Sequence, residues 1–332
     1  MATQPSASFV LQHADGAEEE TDHVLDITGS QLHDLLDVEL PEDLLELDLT
    51  ANRLCELDGR IGKLSQLQKF SLRQNLLNDD AVQPLGQWSS LFDLKELVLR
   101  DNKLTMVPPL SGFTSLLVFD ISFNELTSTH GMAKITSKLR ELYASKNEIV
   151  NIDELEHFNQ LQILELGSNK IRVMEGLHNL TALQELWLGR NRIRAIDLCG
   201  LNRLEKISLQ SNRLSSMLGI QDCARLEELY LSHNSIFRME GISALISLRI
   251  LDISSNKISK VEDINKLTRL EDLWLNDNLI TTLDGIEDAF SGPKYSLTTI
   301  YLERNPCAAD PGYISKLLAA LPNLQQIDSH IL

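Results

Sequence analysis

Twelve times along this 332-residue chain an L-x-x-L-x-L-x-x-N pattern returns, with other apolar residues standing in for some of its leucines. Its asparagines fall at 52, 75, 102, 124, 147, 169, 191, 212, 234, 256, 278 and 305, in nine steps of 21 to 23 residues and two of 27. A unit this short is a single supersecondary element whose apolar side has nothing within the unit to cover it. It is stable only when stacked on its neighbours, so the period predicts a solenoid with one core running along it. A chain this long would be large for one compact globule but is ordinary for one such array.

Within each unit, L-x-x-L-x-L reads as a short parallel strand. In Leu183-Gln184-Glu185-Leu186-Trp187-Leu188, strand alternation turns Leu186 and Leu188 inward and Glu185 and Trp187 outward. The asparagine falls where the chain leaves the strand. Its amide can donate to and accept from backbone groups that the turn leaves unpaired, so one per unit predicts a structural ladder. In the returning limb, Ile171, Met174, Leu177, Leu180 and Leu183 recur every three residues, a spacing that suits 3-10 turns better than α-helix. Gly176, Gly219, Gly241 and Gly285 recur in this limb and read as tight turns. The expected fold is an α/β solenoid of the leucine-rich-repeat class, a horseshoe with a parallel concave sheet and short 3-10 or helical convex segments.

The two long steps carry extra residues, around Trp88 and at Ser291-Gly292-Pro293-Lys294. Both are expected as longer convex segments or loops, the second especially. Upstream, Leu25-Asp26-Ile27-Thr28-Gly29-Ser30 matches Leu47-Asp48-Leu49-Thr50-Ala51-Asn52 with Ser for Asn, a degenerate unit expected to cap the array. Residues 1–20, with Glu18-Glu19-Glu20, are expected to form a disordered acidic tail. The array is assigned to residues 21–305 and a C-terminal cap to 306–332. In that cap Tyr313-x-x-x-Leu317-Leu318-x-x-Leu321 reads as an amphipathic helix and Leu324-x-x-Ile327-Asp328 as a half-unit.

The net charge is −18, unevenly placed: residues 1–52 hold thirteen acids and no Lys or Arg, and the remainder thirty-five acids against thirty bases. Such a chain repels phosphate backbones, so nucleic acid is not an expected partner. The four cysteines, Cys55, Cys199, Cys223 and Cys307, are scattered, without the cysteine-rich flanks usual in extracellular arrays, and predict reduced thiols. With no signal-peptide pattern and no 18-residue apolar run, a soluble, intracellular protein is expected, without a membrane partner and monomeric on its own.

Twelve strands at about 4.8 Å give an inner arc of roughly 55 Å, from which third- and fifth-position side chains project. Tyr143, Trp187, Tyr230, Trp274 and Tyr301 all hold fifth positions, five of the eight Tyr and Trp in the chain, so the rings are concentrated on one face. Glu46, Asp48, Glu96, Asp120, Glu141, Glu165, Glu185, Glu228, Asp252 and Asp272 share that face with only Lys69 and Lys206 as bases. Acids on a solvated sheet can serve merely to keep it soluble. Large rings are unfavourable there unless something covers them. Packing between neighbouring units could do so, but Trp187 and Trp274 stand four units apart and cannot touch each other. Tyr and Trp dominate protein interfaces. Acidic positions Asp120, Glu165 and Asp252 interleaved with Tyr143, Trp187, Tyr230 and Trp274 suit a folded partner that carries Lys or Arg beside apolar patches.

Catalytic chemistry finds little support. No phosphate-binding, dinucleotide-binding, H-E-x-x-H or C-x-x-C pattern occurs, and no cofactor or metal is expected. Asp120 and Glu165 lie two units apart, too far to share a proton.

The 22-residue unit, the run Tyr301-Leu302-Glu303-Arg304-Asn305-Pro306 and the ending Leu321-Pro322-Asn323-Leu324-Gln325-Gln326-Ile327-Asp328 resemble the regulatory subunit 7 family of type-1 protein phosphatase, over residues 25–332. The resemblance implies a non-catalytic regulator in nucleus and cytoplasm that restrains, matures or holds the phosphatase and acts in mitotic dephosphorylation. It implies that the phosphatase catalytic subunit docks on the concave face, with room for a third, inhibitor subunit. The family's contacts map to Asp120, Tyr143, Glu165, Trp187, Asp252, Asp272, Trp274 and Tyr301. Relatives tend to carry Phe in place of Tyr143 and Trp187, and Glu in place of Asp272. The linear docking motif of many phosphatase regulators, basic-(x)-Val/Ile-x-Phe/Trp, is absent, since Lys206-Ile207-Ser208-Leu209 lacks the ring. Docking through a rigid surface agrees with that. A scaffold for another intracellular partner, cytoskeletal or spliceosomal, is the alternative expectation.

Overall fold

A computed structural model of the protein describes residues 23–198 and 200–332. Each unit contributes a three-residue strand, from Val24–Asp26 and Glu46–Asp48 to Thr299–Tyr301, and the strands pair in parallel in chain order. Register advances one unit at a time, so that Glu165 lies beside Trp187 and Trp187 beside Ser208. From Glu46–Asp48 to Thr299–Tyr301 the middle residue of every strand is buried. Leu164, Leu186, Ile207 and Leu229 follow one another in a line through the core with no exposure. Each such side chain contributes roughly 2–3 kcal/mol on burial, realised only against the next unit.

The asparagines form the predicted ladder. Asn191 Nδ2 donates to Leu188 O in its own unit at 3.1 Å and to Leu166 O in the preceding one at 2.9 Å, while its Oδ1 accepts from Ile171 N at 3.0 Å. The same acceptance from the preceding unit recurs at all twelve positions, Asn52 to Asn305. The residue before every ladder asparagine adopts a left-handed backbone, from Ala51 at φ +57° to Arg304 at +56°. Glycine would be the least strained choice there, yet none of the twelve is glycine. Bonds to the next unit hold the strained turn in place, as with Arg190 N to Gln210 O at 2.8 Å. The convex glycines do sit at positive φ. Gly219 is the most constrained, because a Cβ there would lie 2.2 Å from Ile196 O.

Of the two forms expected for the long steps, longer convex segments or loops, both steps take the former. The first forms an α-helix, Asp79–Val82, whose cap residue Asn78 accepts from Ala81 N at 3.0 Å, followed by a 3-10 turn over Gln83–Gln87. It buries Trp88 against Gly62, where a Cβ would meet the indole at 2.5 Å. The second forms a helix, Ile286–Ala289, and a 3-10 turn, Pro293–Tyr295. Ile286 and Phe290, one turn apart, are both buried, and that pair draws the segment into a helix.

At the C-terminal end a helix, Tyr313–Ala320, is followed by Gln326–Ile327, parallel to the last unit strand, and by His330–Ile331, antiparallel to Gln326–Ile327. Asp328 is buried: Oδ1 accepts from Leu302 N at 2.7 Å and Glu303 N at 2.9 Å, and Oδ2 from the Tyr313 hydroxyl at 2.9 Å. At the other end, Val24–Asp26 pairs with Glu46–Asp48, and Ile27 and Leu32 supply the backbone groups that Asn52 bonds. The acidic tail assigned to residues 1–20 lies outside the described residues, as does Cys199. Cys55 is exposed, and Cys223 and Cys307 are buried. Among the described residues no helix is long and apolar enough to cross a membrane.

Candidate functional site

Strand alternation brings all eight predicted site residues onto one face of the sheet. Asp120, Tyr143, Glu165 and Trp187 stand side by side on four successive strands. Ser208 and Tyr230 continue the row to Asp252, Trp274 and Tyr301. Asp272 lies two residues before Trp274 and shares its face. The row is unbroken, so one partner could span it.

The third-position acids turn out to hold the rings. Glu141 accepts from the Tyr143 hydroxyl at 2.8 Å, Glu185 from the Trp187 indole N–H at 3.1 Å, and Glu228 from the Tyr230 hydroxyl at 2.9 Å. Each pair is an i, i+2 contact within one strand, so the motif Glu-Leu-ring orients its own aromatic. Burial, reinforced by the neighbouring carboxylates, pushes the Tyr230 hydroxyl up to about 12 and raises that of Tyr143 likewise. Both phenols therefore remain donors in neutral solution.

The rings also meet across strands. Trp187 and Tyr230 stack at 6.5 Å between centroids and 22° between planes, reaching over the small, buried Ser208. On a flat sheet two strand spacings would separate them by about 9.6 Å, so the rings lean together. Trp274 meets Tyr301 edge-on at 5.9 Å, and the Tyr301 hydroxyl accepts from Gln326 Nε2 at 2.6 Å. Trp187 and Trp274 thus each have a ring partner, though not each other, and Trp274 is still 36% exposed.

The acids of the row fall into two kinds. Asp252 is 5% exposed, and its Oδ1 accepts from Ser254 N at 3.0 Å and Ser254 Oγ at 2.7 Å. Asp120 accepts from Ser122 N at 2.9 Å and lies 3.7 Å from Arg100 Nη1. Asp26 and Asp48 bond Thr28 N and Thr50 N in the same way. An aspartate two residues before Ser or Thr therefore ties down the strand-to-turn backbone. Glu165 and Asp272 have no such follower, and among the described residues neither carboxylate makes a hydrogen bond or ion pair.

Beside Glu165 and Trp187 opens a cleft of about 360 Å³, also lined by Arg100, Phe123, Lys146 and Arg190. Arg100 Cζ lies 4.3 Å and Lys146 Nζ 4.6 Å from the centroid of the Phe123 ring, so two cations meet one aromatic ring. The strand pattern ends at the sixth position and does not include these residues. The available signal was a bulky ring at the left-handed turn position, where bulk is uncommon. Among the described residues no group of acids, histidines and cysteines could hold a metal ion.

A parallel array of such units, one strand each, is a leucine-rich-repeat protein. The family of Leucine Rich repeats (2 copies) matches residues 246–288. The internalin InlF of Listeria monocytogenes superposes with a TM-score of 0.79 at 21% identity, over 93% of this chain and 87% of its own. The leucine-rich-repeat protein LIC12759 of Leptospira interrogans does so with a TM-score of 0.69 at 27% identity, over 86% of this chain and 80% of its own. Over 312 residues, 94% of this chain and 95% of the relative, the sequence is 63% identical to the protein phosphatase 1 regulatory inhibitor subunit PPP1R7 homolog of Arabidopsis thaliana. The chain belongs to that family of phosphatase regulatory subunits, and it is a regulator rather than an enzyme.

Proposed function

We propose that the concave sheet seats the catalytic subunit of type-1 protein phosphatase and thereby controls its activity, maturation or targeting, in nucleus and cytoplasm. The observation that carries this reading is the standing of Trp187 and Trp274 on the sheet face, each oriented by a second ring, beside unengaged Glu165 and Asp272. Pre-oriented rings lose little freedom on binding and supply apolar area. Free carboxylates next to them select a client surface with Lys or Arg around an apolar patch. Tyr143 and Tyr301 extend the apolar contact at either end of the row, while Asp120 and Asp252 add negative charge from side chains tied to the backbone.

The test is a double substitution, E165A/W274A, assayed by co-purification with the phosphatase catalytic subunit and by circular dichroism. Truncating central anchors costs about 2 kcal/mol or more each, so affinity should fall by about a thousandfold with the spectrum unchanged. Undiminished retention would refute docking on this face. Retention of a different protein by the wild-type chain, with none of the phosphatase, would replace the partner.

A further inference from the structure

Past each ladder asparagine the chain leaves the sheet, and in units six to eight the first residues of this segment are basic. Residues 169–174, 191–196 and 212–221 contain Lys170, Arg172, Arg192, Arg194 and Arg213, and each run is closed by an acid, Glu175, Asp197 and Asp222, in a chain of net charge −18. The ladder stacks these segments on one another: Arg192 N donates to Ile171 O and Arg213 N to Ile193 O, each at 2.8 Å. Arg172, Arg194 and Arg213 are exposed. Lys170 pairs with Glu148, but among the described residues none of the four arginines takes part in an ion pair. Like charges on neighbouring units repel and gain nothing for the fold.

The position three residues past the asparagine adds shape to this charge. Across units five to nine it holds Val150, Arg172, Arg194, Ser215 and Phe237. Val150 is 41% and Phe237 51% exposed. Two cations are therefore flanked by an apolar side chain at each end of a row about 19 Å long, four unit spacings.

We propose that this row is a second docking surface, separate from the concave face, and that it takes an extended acidic peptide segment of a partner protein. An extended chain covers that length with about six residues, which fits acids in the middle and an apolar residue at each end. The acidic remainder of the molecule disfavours a polynucleotide, whose charge continues beyond the row.

A fluorescein-labelled heptapeptide of five glutamates between two phenylalanines tests this by fluorescence anisotropy against the full chain. The peptide should bind, and R172E/R194E should weaken it about tenfold or more. F237S should weaken it by a smaller factor. K63E/K103E, which reverses two exposed lysines in the first three units of the array, should leave it unchanged; R172Q/R194Q repeats the test without reversing charge. An equal loss in the K63E/K103E control, no binding by the wild type, or tighter binding of a hexathymidylate than of the peptide would each overturn the proposal. None of these readouts involves the phosphatase, so they stand or fall independently of the concave-face reading.

Discussion

At the residue scale, identical register does not mean identical duty. Asp252 and Glu165 both occupy fifth positions, but Asp252 is spent on Ser254 while Glu165 makes no bond of its own. D252A leaves a buried N–H and hydroxyl without their acceptor, a loss of about 1–3 kcal/mol. Thermal unfolding should therefore begin several degrees lower in D252A, whereas E165A should melt like the wild type and lose phosphatase retention instead. A D252A protein as stable as the wild type would mean that the Ser254 contacts are not what keeps Asp252 in place. The placement of all eight residues on one face was legible because a strand has period two and the leucines mark its phase. What each acid does was not read from that phase. It depends on the residue two positions on, a Ser or Thr in four of the units that carry Asp and a Gly after Glu165. The Phe123 cleft was missed for a related reason: its residues lie in the turn, where the left-handed backbone re-aims side chains.

At the scale of elements, the helix and the half-unit followed from apolar spacing and the ladder from the asparagine period, whereas the choice between a longer convex segment and a loop stayed open at the two insertions. Four helical residues are too few to show a 3.6-residue period, and only the buried pair Ile286 and Phe290 reveals the second one. The C-terminal element is locked by Asp328, which satisfies two backbone N–H groups of the last unit and the Tyr313 hydroxyl together. Burial first, and then Asp328, raises the Tyr313 phenol far above its ordinary value. A phenol whose folded pKa is raised contributes its full stability below the unfolded value, about 10, and loses it as pH climbs towards the folded one. Urea unfolding should show the wild type losing more stability than Y313F between about pH 8 and pH 11. Y313F still falls in that window, because Tyr143 and Tyr230 are raised in the same direction. Parallel losses in the two proteins would show that the cap does not hold Tyr313 protonated.

At the scale of the whole molecule, each strand pairs only with its neighbours in the sheet, so stability is a chain of joints rather than one cooperative core. Asn191 is such a joint: it takes Ile171 N and gives to Leu166 O across the boundary between units six and seven. N191A leaves the buried Ile171 N–H without its acceptor and removes one of the two donors to Leu166 O, the other being Asn169 Nδ2 at 3.0 Å, at a cost of about 1–3 kcal/mol. In a globule this would lower protection everywhere. In a linear array, hydrogen exchange should quicken by about 30-fold at units six and seven and fade with distance along the chain. The units around Asn75 and Asn305 should keep wild-type protection. The same joint carries Glu165 on one side and Trp187 on the other, at adjacent register positions. A partner seated across them bridges the weakened boundary and should restore protection there more than anywhere else in the array, by mass action on the closed form. Uniform loss of protection along the whole chain in N191A would contradict the joint-by-joint account. Restoration by the phosphatase only at units remote from six and seven would place its seat elsewhere on the solenoid.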